Sequence, residues 1–126
     1  MSENNKRVWR EIDLGYFTGT EEWHRHPSGL LYTDGVKYVA ENGGAYWLID
    51  AVASYQGEPA LALTELQEFQ LWELAVDRER NSAVLTCRAD TGRKPVVRQE
   101  IEYTDFPLDE IKLYVECGVL LLPSEH

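Results

Sequence analysis

The sequence predicts an α+β domain: a single layer of antiparallel meander sheet carrying one main helix, about 44–56, on one face, with a short N-terminal helix. Three observations predict it. Ala45, Leu48, Ile49, Val52 and Ala53 recur at helical spacing, and Gly57 with Pro59 ends the pattern. From Glu68 the apolar period shortens to two, the side-chain repeat of a strand. Polar turns such as Arg78 to Ser82 and Asp90-Thr91-Gly92-Arg93-Lys94 then punctuate the chain at strand-length intervals.

In chain order, residues 7–16 put Val8, Ile12 and Gly15 on one helical face, with Trp9 and Tyr16 nearby, which predicts the short N-terminal helix. Leu30-Leu31-Tyr32-Thr33, Asp34-Gly35 and Val36-Lys37-Tyr38-Val39 read as a hairpin, because Asp-Gly suits the positive φ angles of a type I′ turn. A rival reading of 34–43 makes Asp34 a helix N-cap and Gly43 the helix stop. After the main helix, Pro59 to Leu66 reads as a further turn or two of helix, with Pro59 tolerated at the first position.

Phe69 to Val76 carries apolar residues on both faces, which predicts a central strand. Ala83 to Arg88 is the next strand. Val96 to Thr104 alternates, with Val97, Ile101 and Tyr103 on one side and Arg98, Glu100 and Glu102 on the other. Phe106-Pro107 breaks it. Ile111 to Glu116 and Val119 to Leu122, joined through Cys117-Gly118, form a closing hairpin. The 126 residues fit one domain, 1–126, with 44% hydrophobic residues to fill its core.

Composition restricts the function classes. The chain has no apolar stretch of signal-peptide or membrane-spanning length, and its 2 cysteines sit in short apolar runs. A cytoplasmic protein with reduced thiols and no membrane association is expected. Net charge is −10, which argues against direct nucleic-acid binding. Residues 1–77 carry 5 basic and 13 acidic side chains, residues 78–98 carry 6 and 2, and residues 99–126 carry 1 and 7. A basic island thus lies between acidic stretches, and internal pairing of adjacent strands is the simplest account of it.

No motif compels a chemistry. Gly-x-Ser-x-Gly, the Rossmann glycines and the P-loop are all absent, so neither a catalytic residue nor a cofactor is expected. His24 and His26 would point to one side of an extended segment, but nothing at fixed spacing completes a metal site and Arg25 opposes a cation. They are weak metal candidates only. The acidic candidates are Glu100, Glu102, Asp105, Asp109 and Glu110, a solvated face with too little environmental contrast for an acid–base pair. One glutamate row on a strand is also half as dense as the charges of one DNA strand. Of 14 aromatic residues, Trp23 and Tyr32 are candidates for an exposed contact patch. Tyr46, Trp47 and Trp72 are expected to anchor helix on sheet, and a buried Asp50 would need a hydrogen-bonding partner.

Several segments taken together carry a resemblance. They are Phe17-Thr18-Gly19-Thr20-Glu21-Glu22-Trp23, Tyr32-Thr33-Asp34-Gly35-Val36-Lys37-Tyr38, Ala45-Tyr46-Trp47-Leu48-Ile49-Asp50-Ala51, Glu68-Phe69-Gln70-Leu71-Trp72, Tyr103-Thr104-Asp105-Phe106-Pro107-Leu108 and Leu122-Pro123-Ser124-Glu125. Over roughly residues 16 to 126 the chain resembles a family of small bacterial proteins, often encoded on plasmids and phages, classified only as a domain of unknown function. His126 departs from the tyrosine expected at the end of that pattern. The resemblance implies a mobile-element or accessory setting and transfers no catalytic or ligand residue.

The expectation is therefore a non-enzymatic acidic interaction protein that binds a basic protein surface, as an inhibitor or mimic directed at a nucleic-acid-handling or defence complex. The alternatives are a small-ligand or nucleotide-binding module stacking on Trp23, Tyr32 or Tyr46, and a small enzyme using the carboxylates or His24 and His26. A homo-oligomer formed through an edge strand stays open.

Overall fold

The computed structural model describes residues 23–125. The expected helix over 7–16 and His126 lie outside the described residues. The elements are strands β1 (His24–Arg25) and β2 (Leu31–Tyr32), helices α1 (Asp34–Gly43) and α2 (Tyr46–Tyr55), a 3-10 turn (Pro59–Leu61), and helix α3 (Thr64–Glu68). Strands β3 (Phe69–Asp77), β4 (Ser82–Arg88), β5 (Val97–Ile101), β6 (Glu110–Glu116) and β7 (Val119–Leu121) follow, and a 3-10 turn, Pro123–Glu125, comes last.

The fold class is α+β, but the sheet is mixed rather than an antiparallel meander. Its order is β1-β2-β7-β6-β3-β4-β5. Three successive strands, β3, β4 and β5, run as neighbours; the chain then crosses back so that β6 pairs on the other side of β3. That crossing makes β3 central. Strand β2 pairs in parallel with β7, Leu31 opposite Val119 and Tyr32 opposite Leu120.

Register decides which side chains meet the helices. Trp72 lies opposite Cys87 on one side and Leu113 on the other, and Leu74 opposite Leu85 and Ile111. These residues join Val36, Val39, Leu48, Ile49 and Val52 in one buried cluster. Trp72 is fully buried. Its indole N–H donates to Gln70 Oε1 at 2.8 Å, and Tyr55 packs on its ring at 5.7 Å between centroids. Burying a Trp of this size contributes a large share of the core's stabilisation, and the satisfied N–H removes the cost of hiding a polar atom.

Residues 34–43 form a helix, not the second arm of a hairpin. Gly35 lacks the positive φ that a type I′ turn demands. Thr33, one residue before Asp34, is the N-cap, its Oγ1 accepting from the Val36 N–H. Gly44 stops the helix in the left-handed conformation, φ 61°. The end of the chain completes the start of this helix. Glu125 accepts from the Thr33 hydroxyl at 2.6 Å, the Gly35 N–H at 3.1 Å and the Leu122 N–H at 2.9 Å. A Cβ on Gly35 would stand 2.8 Å from the Glu125 carboxyl carbon, so only glycine admits this approach. Parallel pairing is what brings the ends of β2 and β7 side by side and sets Glu125 there.

The fifth strand ends early. It was expected to reach Thr104, yet it stops at Ile101. Thr104 instead donates its N–H to Asn81 O and accepts from the Phe106 N–H, which turns the chain inward and buries Phe106. Tyr103 consequently swings out to 70% exposure rather than sharing a face with Val97 and Ile101. Both cysteines are free; Cys87 is buried, while Cys117 is exposed in the tight β6–β7 turn rather than packed in an apolar run.

Candidate functional site

The loop His26-Pro27-Ser28-Gly29 reverses the chain between β1 and β2, closed by His26 N–H to Leu30 O at 2.8 Å and by Gly29, φ 103°. His24 sits opposite Tyr32, which sits opposite Leu120, so its ring lies on the helix-covered side of the sheet at the β1 edge. There it meets α1: His24 Nε2 is 2.9 Å from Asp34 Oδ1, and its ring is 5.4 Å from that of Tyr32. Two residues on, His26 projects to the same side and meets α2, with Nε2 2.8 Å from Asp50 Oδ1. The two histidines hold two different carboxylates, on two different helices. Among the described residues no group of three or more His, Cys, Asp or Glu side chains is arranged to hold a metal.

Tyr46, expected as a core anchor, is instead 45% exposed at the start of α2. The main helix turns its Leu48, Ile49, Val52 and Ala53 face inward, and Tyr46 falls on the opposite side with Asp50. Burial of the hydroxyl, then the Glu41 charge and the neighbouring Tyr32, push the Tyr46 phenol above its ordinary value, and Glu41 also hydrogen-bonds it. Trp47 packs partly against the core. Asp50 is not buried: its side chain is 71% exposed, so His26 orients it without shielding it. Tyr32, Asp34, Glu41, Tyr46 and Asp50 thus gather with both histidines where β1 and β2 meet α1 and α2.

The acidic residues of the second half lie elsewhere. Glu100 is on β5, at the opposite edge of the sheet, five strand spacings from Tyr32, or about 24 Å. Trp23, beside β1 and 57% exposed, is equally remote from it. Glu100, Glu102, Asp105, Asp109 and Glu110 are all exposed, but they form no continuous stripe. Glu102 lies past the strand end, and Val84 and Ala75 separate Glu100 from Glu110 across the ladder.

Arginines of the basic island stand among these and neighbouring acids. Arg98 reaches Glu100 at 2.9 Å, Arg78 reaches Asp109 at 3.6 Å and Arg80 reaches Asp77 at 3.9 Å. Arg93 makes a two-pronged contact with Glu65, both at 3.1 Å, and Arg88 with Lys112 flanks Glu73. Each exposed pair is worth little to stability, yet together they cancel much of the local field.

A cleft of about 390 Å³ opens beside the β1–β2 loop, lined among others by Ser28, Gln56, Gly57, Gln67, Gln70 and Gly118. Among the described residues no charged side chain lines it. Gln56 and Gln70 exchange reciprocal amide hydrogen bonds at 3.0 Å, and Gln70 also donates to Leu66 O, so its carboxamide is fully committed. Sequence reasoning missed Ser28, Asp34, Glu41 and the three glutamines. Only the His24–His26 spacing hinted that this edge is where polar groups converge.

No helix among the described residues is long and apolar enough to cross a membrane. No curated protein and no solved structure matches the chain. A family model does match it, over residues 9–126, and on that match the chain belongs to the family of unknown function DUF6876.

Proposed function

We propose that the protein is a binding protein that docks a basic protein surface on the corner where β1 and β2 meet α1 and α2. The observation that carries this reading is the company kept by the exposed Tyr46 ring. Its hydroxyl is hydrogen-bonded to Glu41, Tyr32 is adjacent, and the Asp50 carboxylate on the same helix is open to solvent. Amphipathic aromatic rings beside accessible carboxylates suit cationic side chains, which pair with the acids and stack on the rings. Among the described residues no arginine or lysine is ion-paired to Glu41 or Asp50, whereas Arg98 pairs with Glu100 on the opposite edge.

A net charge of −10 adds long-range steering toward a positive partner and disfavours a bare phosphate backbone. A nucleic-acid-handling or defence complex of the host, encountered by an accessory protein of a mobile element, is the partner class we favour, with inhibition as the outcome. The test is capture of partners by the full chain at low and high salt, with and without Glu41→Lys and Asp50→Lys. A basic partner retained at low salt, released by salt and lost on charge reversal supports the reading. Retention unchanged by both reversals would sink it.

A further inference from the structure

We propose a second capability at the same edge, sharing only Asp50 with the docking surface: Ser28, His26 and Asp50 form a nucleophile–base–carboxylate relay that cleaves small uncharged esters seated in the adjoining cleft. The three side chains connect end to end. Ser28 Oγ lies 2.9 Å from His26 Nδ1, and His26 Nε2 lies 2.8 Å from Asp50 Oδ1. Those distances are hydrogen bonds between a hydroxyl, an imidazole and a carboxylate, the order in which a serine is activated.

Two backbone groups fix the direction of the relay. The Ser28 N–H donates to His26 Nδ1 at 3.0 Å, so Nδ1 carries the lone pair and Nε2 carries the proton given to Asp50. The imidazole is thereby held in the tautomer that can accept a proton from Ser28. The Leu30 N–H donates to Ser28 Oγ at 3.3 Å, and the hydroxyl hydrogen shares the Nδ1 lone pair with the Ser28 N–H. Asp50 then stabilises the imidazolium that forms when the proton moves.

Location adds the substrate class. Ser28 is exposed at the cleft, whose other polar side chains are the neutral carboxamides of Gln56, Gln67 and Gln70. A lining whose described polar side chains are a serine and three neutral carboxamides favours an uncharged acyl donor of modest size. In the forward step Oγ bonds to the carbonyl carbon, the hydroxyl proton passes to His26 Nδ1, and the C–O bond to the leaving alcohol breaks as that alcohol takes the proton. Water then attacks the acyl carbon, His26 accepts its proton, and the acid leaves as Ser28 regains its hydrogen. No oxidant, metal or second substrate is needed.

The experiment uses the full chain with a fluorophosphonate probe, which forms an O–P bond to an activated serine and expels fluoride, and with p-nitrophenyl acetate. The adduct is mapped by peptide mass on the unmodified sequence, so the answer does not depend on a variant folding. We expect labelling at Ser28, p-nitrophenol release abolished by Ser28→Ala, and both slowed about 100-fold by His26→Gln. Asp50→Asn should slow both, and Ser54→Ala, an exposed serine elsewhere on α2, should change neither. No adduct at Ser28, equal labelling of Ser54, or unchanged rates in His26→Gln would overturn the relay. Ser28→Ala should leave basic-partner capture intact, which separates failure of this proposal from failure of the docking surface.

Discussion

The two edges of the sheet carry similar side chains and treat them differently. At the β5 edge Glu100 faces Arg98 of its own strand, and further in Asp109 faces Arg78 of the β3–β4 turn. At the β1 edge, Asp34 and Asp50 face histidines, and Glu41 faces a phenol. An arginine cancels a carboxylate at every ordinary pH, whereas a neutral imidazole or phenol orients it and leaves its charge in place. Net charge is thus a property of the chain, and available charge is a property of register. Among the described residues, a carboxylate's charge stays available where no guanidinium is folded against it.

The largest effect that would sharpen this contrast concerns stability. Trp72→Ala should cost about 3–5 kcal/mol in urea unfolding, because it empties the centre of the core and removes one of the two donors to Gln70 Oε1. Tyr46→Ala, at the exposed corner, should change stability by under about 0.5 kcal/mol. Comparable losses from both would mean that the corner is core after all. Removing the Glu125 carboxylate by Glu125→Ala should cost about 1–2 kcal/mol, since two donors at the start of α1 and the Leu122 N–H lose their acceptor.

Charge reversal reads function rather than stability. Glu41→Lys with Asp50→Lys should weaken capture of a basic partner at least about tenfold, or roughly 1.4 kcal/mol. Glu100→Lys at the far edge should change it less than about twofold, because Arg98 already pairs with that carboxylate. An equal loss from both would break the comparison.

A pH experiment probes the sheet interior. Burial raises the Cys87 thiol from 9.0 to about 12, with Arg88 opposing the shift. The unfolded chain therefore loses this proton first. Stability from the neutral buried thiol is intact below pH 9.0 and falls as pH rises toward about 12. Thermal melts of the protein and of Cys87→Ala across that window should diverge, and a disulfide reagent at neutral pH should modify Cys117 well before Cys87. The smallest effect is Arg98→Ala, under about 0.5 kcal/mol and fading with salt.

The main helix, the central strand and the closing β6–β7 hairpin were all legible in the sequence, because each states its own periodicity locally. Leu48, Ile49, Val52 and Ala53 mark one face of α2 whatever lies beneath it, and Phe69 to Val76 is apolar on both sides because a central strand is covered twice. Helix α1 was misread for an equally local reason. Asp34-Gly35 carries the same chemistry for a turn as for the start of a helix, and what decides between them is Glu125, some ninety residues away. The acidic residues and the arginines that answer them were visible as composition, but not as partners.

Local sequence therefore determined which segments are helix or strand, their apolar faces and the total charge, since these depend on neighbours within a turn or two. Tertiary structure decided the strand order, the parallel β2–β7 pairing, which carboxylates were neutralised and which were left facing histidine or tyrosine. It also brought Ser28, His26 and Asp50 together. Contacts of that kind join residues that share no periodicity, and their geometry exists only once the sheet has chosen its register.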